Sequence, residues 1–293
     1  MSVTRTDFTS RETRCAADLY LPEGVDKPPV IVMAHGFGAE RSARLPAFAE
    51  RFMVSGYAVL LFDYRSFGDS HGEPRQLVSP RRHLQDWRAA IALARSLPAV
   101  DTSRLVLWGT SFSGGHVVRL ASEDSGVRAI IAQVPFTSGL GLAGQYSFPD
   151  SLRMTLAGLR DLVASALGAN PVCYPVVAPA GERAIMNTPE CYDGYLQLFE
   201  PDSRWENRVP ARIALQMPFY NPAWRAASVR CPALVVAGRD DSLIPARSVR
   251  AMAERMARGE YRELPVGHFE PYVGEVFEQN IALQLDFLSR HLS

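Results

Sequence analysis

Three residue types that together can make a hydroxyl reactive occur just past the ends of predicted strands. Ser111 follows residues 105–108, Asp240 and Asp241 follow residues 233–237, and His268 follows residues 260–264. A serine hydroxyl is a poor nucleophile at neutral pH and needs a base within hydrogen-bond reach. An imidazole can take that proton and return it to a leaving group. A carboxylate beside the ring orients it and stabilises the charge it gains. The surroundings of Ser111 fit the first role. Gly109-Thr110-Ser111-Phe112-Ser113-Gly114-Gly115 joins an apolar run to a helical pattern. A serine lifted clear of a sheet on a tight strand-to-helix turn needs small neighbours two before and two after it. Gly109 takes the first position, and Ser113 stands where the G-x-S-x-G pattern has its second glycine.

The elements that must position these groups are legible as alternating runs. Strands are expected at 30–34, 58–62, 105–108, 129–133, 233–237 and 260–264. Helices are expected at 45–55, 83–97, 113–122, 246–256 and 273–292. An early antiparallel strand is read at 15–21, after a first strand near 3–8. Apolar strands alternating with helices imply a mostly parallel sheet covered on both faces. After Pro135 the rhythm breaks. Residues 136–229 show no strand pattern, only helical patterns at 151–167, 189–199 and 205–217 separated by Pro171, Pro175 and Pro179. The reading is one α/β core, 1–135 with 230–293, interrupted by a helical cap at 136–229.

Composition narrows the function. The 293 residues carry 31 basic and 31 acidic side chains, 47% hydrophobic residues and no net charge. Bulk charge gives no reason to expect nucleic acid as a partner. No run approaches 18 apolar residues, so membrane insertion is not expected. Cys15, Cys173, Cys191 and Cys231 are widely spaced without a C-x-x-C pair. With no export signal, the expectation is reduced cysteines in a cytoplasmic protein. No metal or organic cofactor is called for. A homo-oligomer is compatible with the sequence.

The order Ser, Asp, His along the chain, with the strand-turn-helix around Ser111, resembles the α/β-hydrolases. The resemblance covers nearly all of the chain outside 136–229. It implies an eight-stranded α/β-hydrolase sheet, with Ser111 as nucleophile and His268 as base. On the family spacing G-x-x-D-x-x-x-P, Gly238 to Pro245 selects Asp241 as the acid, with Asp240 as the alternative. His35-Gly36-Phe37-Gly38 corresponds to the loop that supplies one oxyanion donor, so the Phe37 and Phe112 backbone N–H groups are implied as the oxyanion hole. His35 is then a structural histidine. Residues 63–70 resemble a D-x-R-G-x-G-x-S turn with Ser66 in place of a glycine, in which Arg65 and Asp69 are expected to pair or hydrogen-bond locally.

Within the family the elbow and the placing of the insertion are most similar to dienelactone-hydrolase-like and polyketide-transferase-like members. That resemblance implies hydrolysis of a small-molecule carboxylic ester, lactone or thioester through an acyl-enzyme. Three alternatives stay open: acyl transfer with the same residues, peptidase or amidase action using Glu182, Glu190, Asp193 or Glu200 to hold an amino terminus, and a non-catalytic binding protein on this fold.

Overall fold

The computed structural model describes residues 2–144 and 146–292. Eight strands form one sheet, numbered here in chain order: β1 Ser2–Arg5, β2 Ala17–Leu21, β3 Pro29–Ala34, β4 Ala58–Phe62, β5 Asp101–Thr110, β6 Ala129–Gln133, β7 Ala233–Gly238 and β8 Gly259–Leu264. Their spatial order is β1-β2-β4-β3-β5-β6-β7-β8. β2 runs antiparallel to both β1 and β4, and β3 to β8 are parallel. β3, β4 and β6 are buried along their whole length, as expected for strands covered on both faces.

The strand order explains how the helices are shared between the faces. β3 to β4 steps one way across the sheet, through α1 (Leu45–Val54). β4 to β5, β5 to β6 and β7 to β8 step the other way, through α2 (Pro80–Ser96), α3 (Phe112–Ala121) and a later helix, Ala246–Glu254. Right-handed crossovers in opposite directions place these helices on opposite faces. The C-terminal helix Gly274–Leu292 packs against α1, where Phe48 meets Phe277 edge to face at 4.8 Å. The ends of β5, β7 and β8 that precede Ser111, Asp241 and His268 therefore lie along one edge of the sheet, where open α/β sheets place their ligands.

Several expectations need correction. The strand read at 15–21 is split at Ala16. Thr13–Cys15 instead pairs with Phe8–Ser10 in a separate hairpin, because Arg11 and Glu12 take φ of 47° and 66° and reverse the chain. The segment between β6 and β7 is less helical than its pattern suggests. It holds α4 (Gly139–Ala143), α5 (Phe148–Ala166), α6 (Cys191–Leu196) and α7 (Ile213–Gln216). It also contains a two-residue antiparallel ladder, Cys173–Tyr174 with Val209–Pro210, where no strand was expected. Residues 205–212 cannot start a helix, because Pro210 disfavours a helix interior. In addition, the Asn207 side chain is bonded to the backbone of Val176 and Val177. No helix among the described residues is long and apolar enough to cross a membrane.

The turn after β4 also differs in its pairing. Arg65 binds Asp86 of α2 (2.5 Å), whereas Asp69 binds Arg41 (2.7 Å) and Arg5 (3.2 Å). Arg41 is the hub. It reaches Asp18 at 2.6 Å and pairs with the fully buried Asp63, tying β2, the end of β4 and the loop after β3 together. Ser66, in the position of a glycine, takes φ 76°. Burial pushes the Asp63 carboxyl up to about 6, against the pull of Arg41.

Removing Arg41 leaves a buried, unpaired carboxylate. Arg41→Ala should destabilise the fold by about 3–5 kcal/mol at pH 7.5 in urea denaturation. A carboxyl whose pKa is raised on folding binds its proton more tightly folded than unfolded, so stability rises as pH falls. The deficit of the variant should therefore narrow at pH 5.

Candidate active site

Ser111 sits between β5 and α3 with φ 53° and ψ −120°, a backbone conformation that L residues avoid. Its own peptide groups are held: its N–H donates to Gln133 O (2.9 Å) and its C=O accepts from Phe136 N (2.8 Å). The small neighbours are required. A Cβ at Gly109 would collide with Ser113 O, and one at Gly114 would lie 2.7 Å from Pro135 Cβ. Ser113, the departure from the glycine pattern, is fully buried and its Oγ lies 2.9 Å from Tyr64 OH, which also accepts from Trp87 Nε1 at 2.9 Å. The hydroxyl thus has a use that a glycine would lack: it locks the start of α3 to the turn after β4.

His268 Nε2 lies 3.0 Å from Ser111 Oγ, and its Nδ1 lies 2.6 Å from Asp241 Oδ2. Asp241 Oδ1 accepts from the N–H groups of Leu243 and Ile244, both at 2.8 Å, which fixes the carboxylate. All three sequence candidates are brought together. Asp240 is not among them; it is exposed and pairs with Arg239. Burial lowers the His268 pKa, but the charge and hydrogen bond of Asp241, with help from Glu190 and Glu270, outweigh it. The net shift is upward.

The other candidates also fall beside Ser111. Gly36 packs so closely that a Cβ there would be 3.1 Å from Ser111 Cβ. The rings of Phe37 and Phe112 meet edge to face at 5.6 Å. Phe112 is the first residue of α3, and the first amides of a helix have no partner inside it. His35 is buried, with its pKa lowered to about 3 by burial. Its ring stacks edge-on to Tyr64, and Nδ1 lies 3.0 Å from Gly36 O. It holds the loop, as expected. His83 and His116 belong to the core beneath α3, where His116 bonds Tyr220 OH at 2.6 Å.

Sequence reasoning missed how the segment between β6 and β7 grips these loops. Tyr195 OH donates to Phe37 O (2.7 Å) and Trp205 Nε1 to Gly38 O (2.7 Å). Glu190 is the larger surprise. One oxygen accepts from His268 N (2.8 Å), and the other accepts from Ser242 N (2.7 Å) and Ser242 Oγ (2.6 Å). A single carboxylate therefore binds the backbone beside His268 and the backbone beside Asp241. A Cβ at Gly267 would run into that carboxylate. The sequence signal was this glycine: next to a histidine, it marks a close approach without naming the partner.

The space above Ser111 is small. A cavity of about 20 Å³ is lined mainly by Phe37, Leu45, Met186, Tyr195, Leu198 and Phe269 around Ser111 and His268. That is room for about one water. Its lining contains no carboxylate. Glu182, Asp193 and Glu200 lie outside it, and Glu190 faces backbone amides instead.

Glu190→Gln removes a negative charge that favours the protonated ring, so the His268 pKa should fall, followed by proton NMR of the imidazole. Gly267→Ala should cost about 1–3 kcal/mol by overpacking, and Glu190→Ala in the same chain should recover part of that loss.

Residues 26–265 match the family model described as serine aminopeptidase, S33. The quorum-quenching protein AidA of Acinetobacter baumannii (strain MDR-ZJ06) is 44% identical over 283 residues, 97% of this chain and 93% of that protein. The polyketide transferase grgF of a Penicillium species is 27% identical over 275 residues, covering 90% of this chain and 89% of its own. The structure of DcsB in complex with its substrate analogue superposes with a TM-score of 0.86 at 23% identity, covering 99% of this chain and 100% of that one. The chain has the α/β-hydrolase fold and belongs to the serine aminopeptidase S33 family of hydrolases.

Proposed function

We propose that the protein is a serine hydrolase that cleaves a carboxylic ester, lactone or thioester of a small acyl substrate through an acyl-enzyme. The observation that carries this reading is the continuous relay from Asp241 through His268 to Ser111, at 2.6 and 3.0 Å. Ser111 Oγ attacks the carbonyl carbon as His268 Nε2 takes its proton. Asp241 keeps the ring oriented and balances the imidazolium. The N–H groups of Phe37 and Phe112 receive the charge on the carbonyl oxygen, from positions fixed before the reaction starts. His268 then protonates the leaving alkoxide or thiolate. In the second half it takes a proton from the water that attacks the acyl carbon, then returns that proton to Ser111 Oγ as the acyl–oxygen bond breaks and the acid leaves.

The lining of the cavity favours an acyl substrate over a peptide amino terminus. A protonated amine needs a carboxylate at hand, and the lining offers none. Similarity to a quorum-quenching protein and to a polyketide transferase supports acyl chemistry on small molecules. The latter also favours a second reading, in which an alcohol or amine replaces water in the deacylation. Residues 136–229 act in either case as a cap. With space for one water above Ser111, a substrate enters only when this segment moves away from the loops it grips.

Ser111→Ala should abolish labelling by a fluorophosphonate and lower kcat on aryl esters, thioesters and lactones by on the order of 10⁶-fold. Adding an alcohol to the assay should leave free acid as the main product; an ester product would assign transfer. The base must be neutral to act, so kcat/KM should rise with pH along a limb set by His268. Because the pKa is raised, that limb should lie above the ordinary histidine value of about 6.5, and Glu190→Gln should move it to lower pH.

A further inference from the structure

The helix α5 presents more apolar surface outward than inward. It is 19 residues long, yet only Met154, Gly158 and Asp161 are buried beneath it. Gly158 lets it approach Leu215 and Ala211, and Asp161 binds Arg212 at 2.6 Å. On the opposite side Phe148, Leu152, Leu156, Leu159, Val163 and Leu167 are 47–78% exposed. At 100° per residue these six fall within about 100° of one another. The buried seam lies diametrically across. They form one straight stripe about 28 Å long, with Leu162 beside it, also exposed.

We propose that this stripe is the interface of a homodimer, in which α5 packs antiparallel against α5 of a second copy. Two features select that occupant. The first is symmetry. The spacing of the stripe, four, four, three, four, four, reads the same in both directions. A two-fold axis between Leu156 and Leu159 sets Phe148 against the second copy's counterpart of Leu167, Leu152 against that of Val163, and Leu156 against that of Leu159. An interface that uses one patch twice must be self-complementary in this way. The second is area. The seven exposed side chains offer on the order of 800 Å², beyond the few hundred Å² a monomer usually leaves in one patch and close to what each partner gives to a standard interface. A lipid surface is a poorer match. On α5 itself only Arg153 and Arg160 flank the stripe, and Arg153 is already paired with Asp150 at 3.0 Å.

Sedimentation velocity at tens of micromolar should give twice the mass of the chain. Leu156→Lys and Leu159→Lys should each weaken dimerisation by at least about 30-fold, the loss typical of a central interface residue, with unchanged circular dichroism. The pairing makes a sharper demand: Leu156→Lys combined with Leu159→Glu should dimerise again, because each new charge then faces its opposite across the axis. A wild-type protein of single-chain mass would overturn the proposal. So would a dimer indifferent to both single changes, or failure of the double change to restore it. A monomer that co-floats with phosphatidylethanolamine–phosphatidylglycerol vesicles, and loses this with Leu156→Lys, would assign the stripe to a membrane instead.

Discussion

The structure depends on holding Ser111 in a backbone conformation that it would not choose. A positive φ at a residue with a side chain costs about 1–3 kcal/mol, and the surroundings must over-determine it. Here they do so from several directions. β6 takes the serine N–H through Gln133 O, and the chain after β6 gives its Phe136 N–H to the serine C=O. Gly109 and Gly114 leave no room for anything larger. The side chain of Gln133 is itself anchored by Asn280 (2.6 Å) and Gln284 (2.9 Å) of the C-terminal helix, and Gln284 in turn accepts from Trp108 Nε1 (2.7 Å). The C-terminal helix thus supports the strand that leads to Ser111, through a buried polar network that would be costly to leave half-made.

A second layer of restraint comes from outside the sheet. Residues that line the small cavity also hold its walls: Tyr195 lines it together with Ser111 while bonding the Phe37 carbonyl. The contacts that shape the cavity and those that fix the loop beside Ser111 are therefore made in part by the same residue.

The sheet was legible because its signals are local. Apolar runs at β3, β4, β6 and β7 are short, bounded and buried on both sides, so sequence periodicity and burial agree. The positions of Ser111 and His268 followed from strand ends and chain order, whereas choosing Asp241 over its neighbour Asp240 also needed the family spacing from Gly238 to Pro245. The segment between β6 and β7 was read less well. There, helical periodicity is overridden by side chains that serve other loops, such as Asn207 and Trp205, and by Pro210. The roles of Glu190 and Arg41 could not be read in advance, because each joins parts of the chain far apart in sequence and neither lies in a motif. Ser113 and Ser66 looked like imperfect glycines. One is a hydroxyl with a buried partner, and the other tolerates a positive φ within a well-bonded turn.

The shared carboxylate of Glu190 has an evolutionary consequence. Positions 190, 242 and 267 lie in three different parts of the chain, yet they form one mechanical unit. Position 242 joins it through its backbone N–H, but Glu190 and Gly267 cannot drift alone. A relative that gains a side chain after the strand leading to its histidine must shorten or lose the acid that bridges the two loops, and must then find another way to tie them. In an alignment of such relatives the columns of Glu190 and Gly267 would vary together or stay fixed together, and a chain in which they disagree would have tied these loops differently.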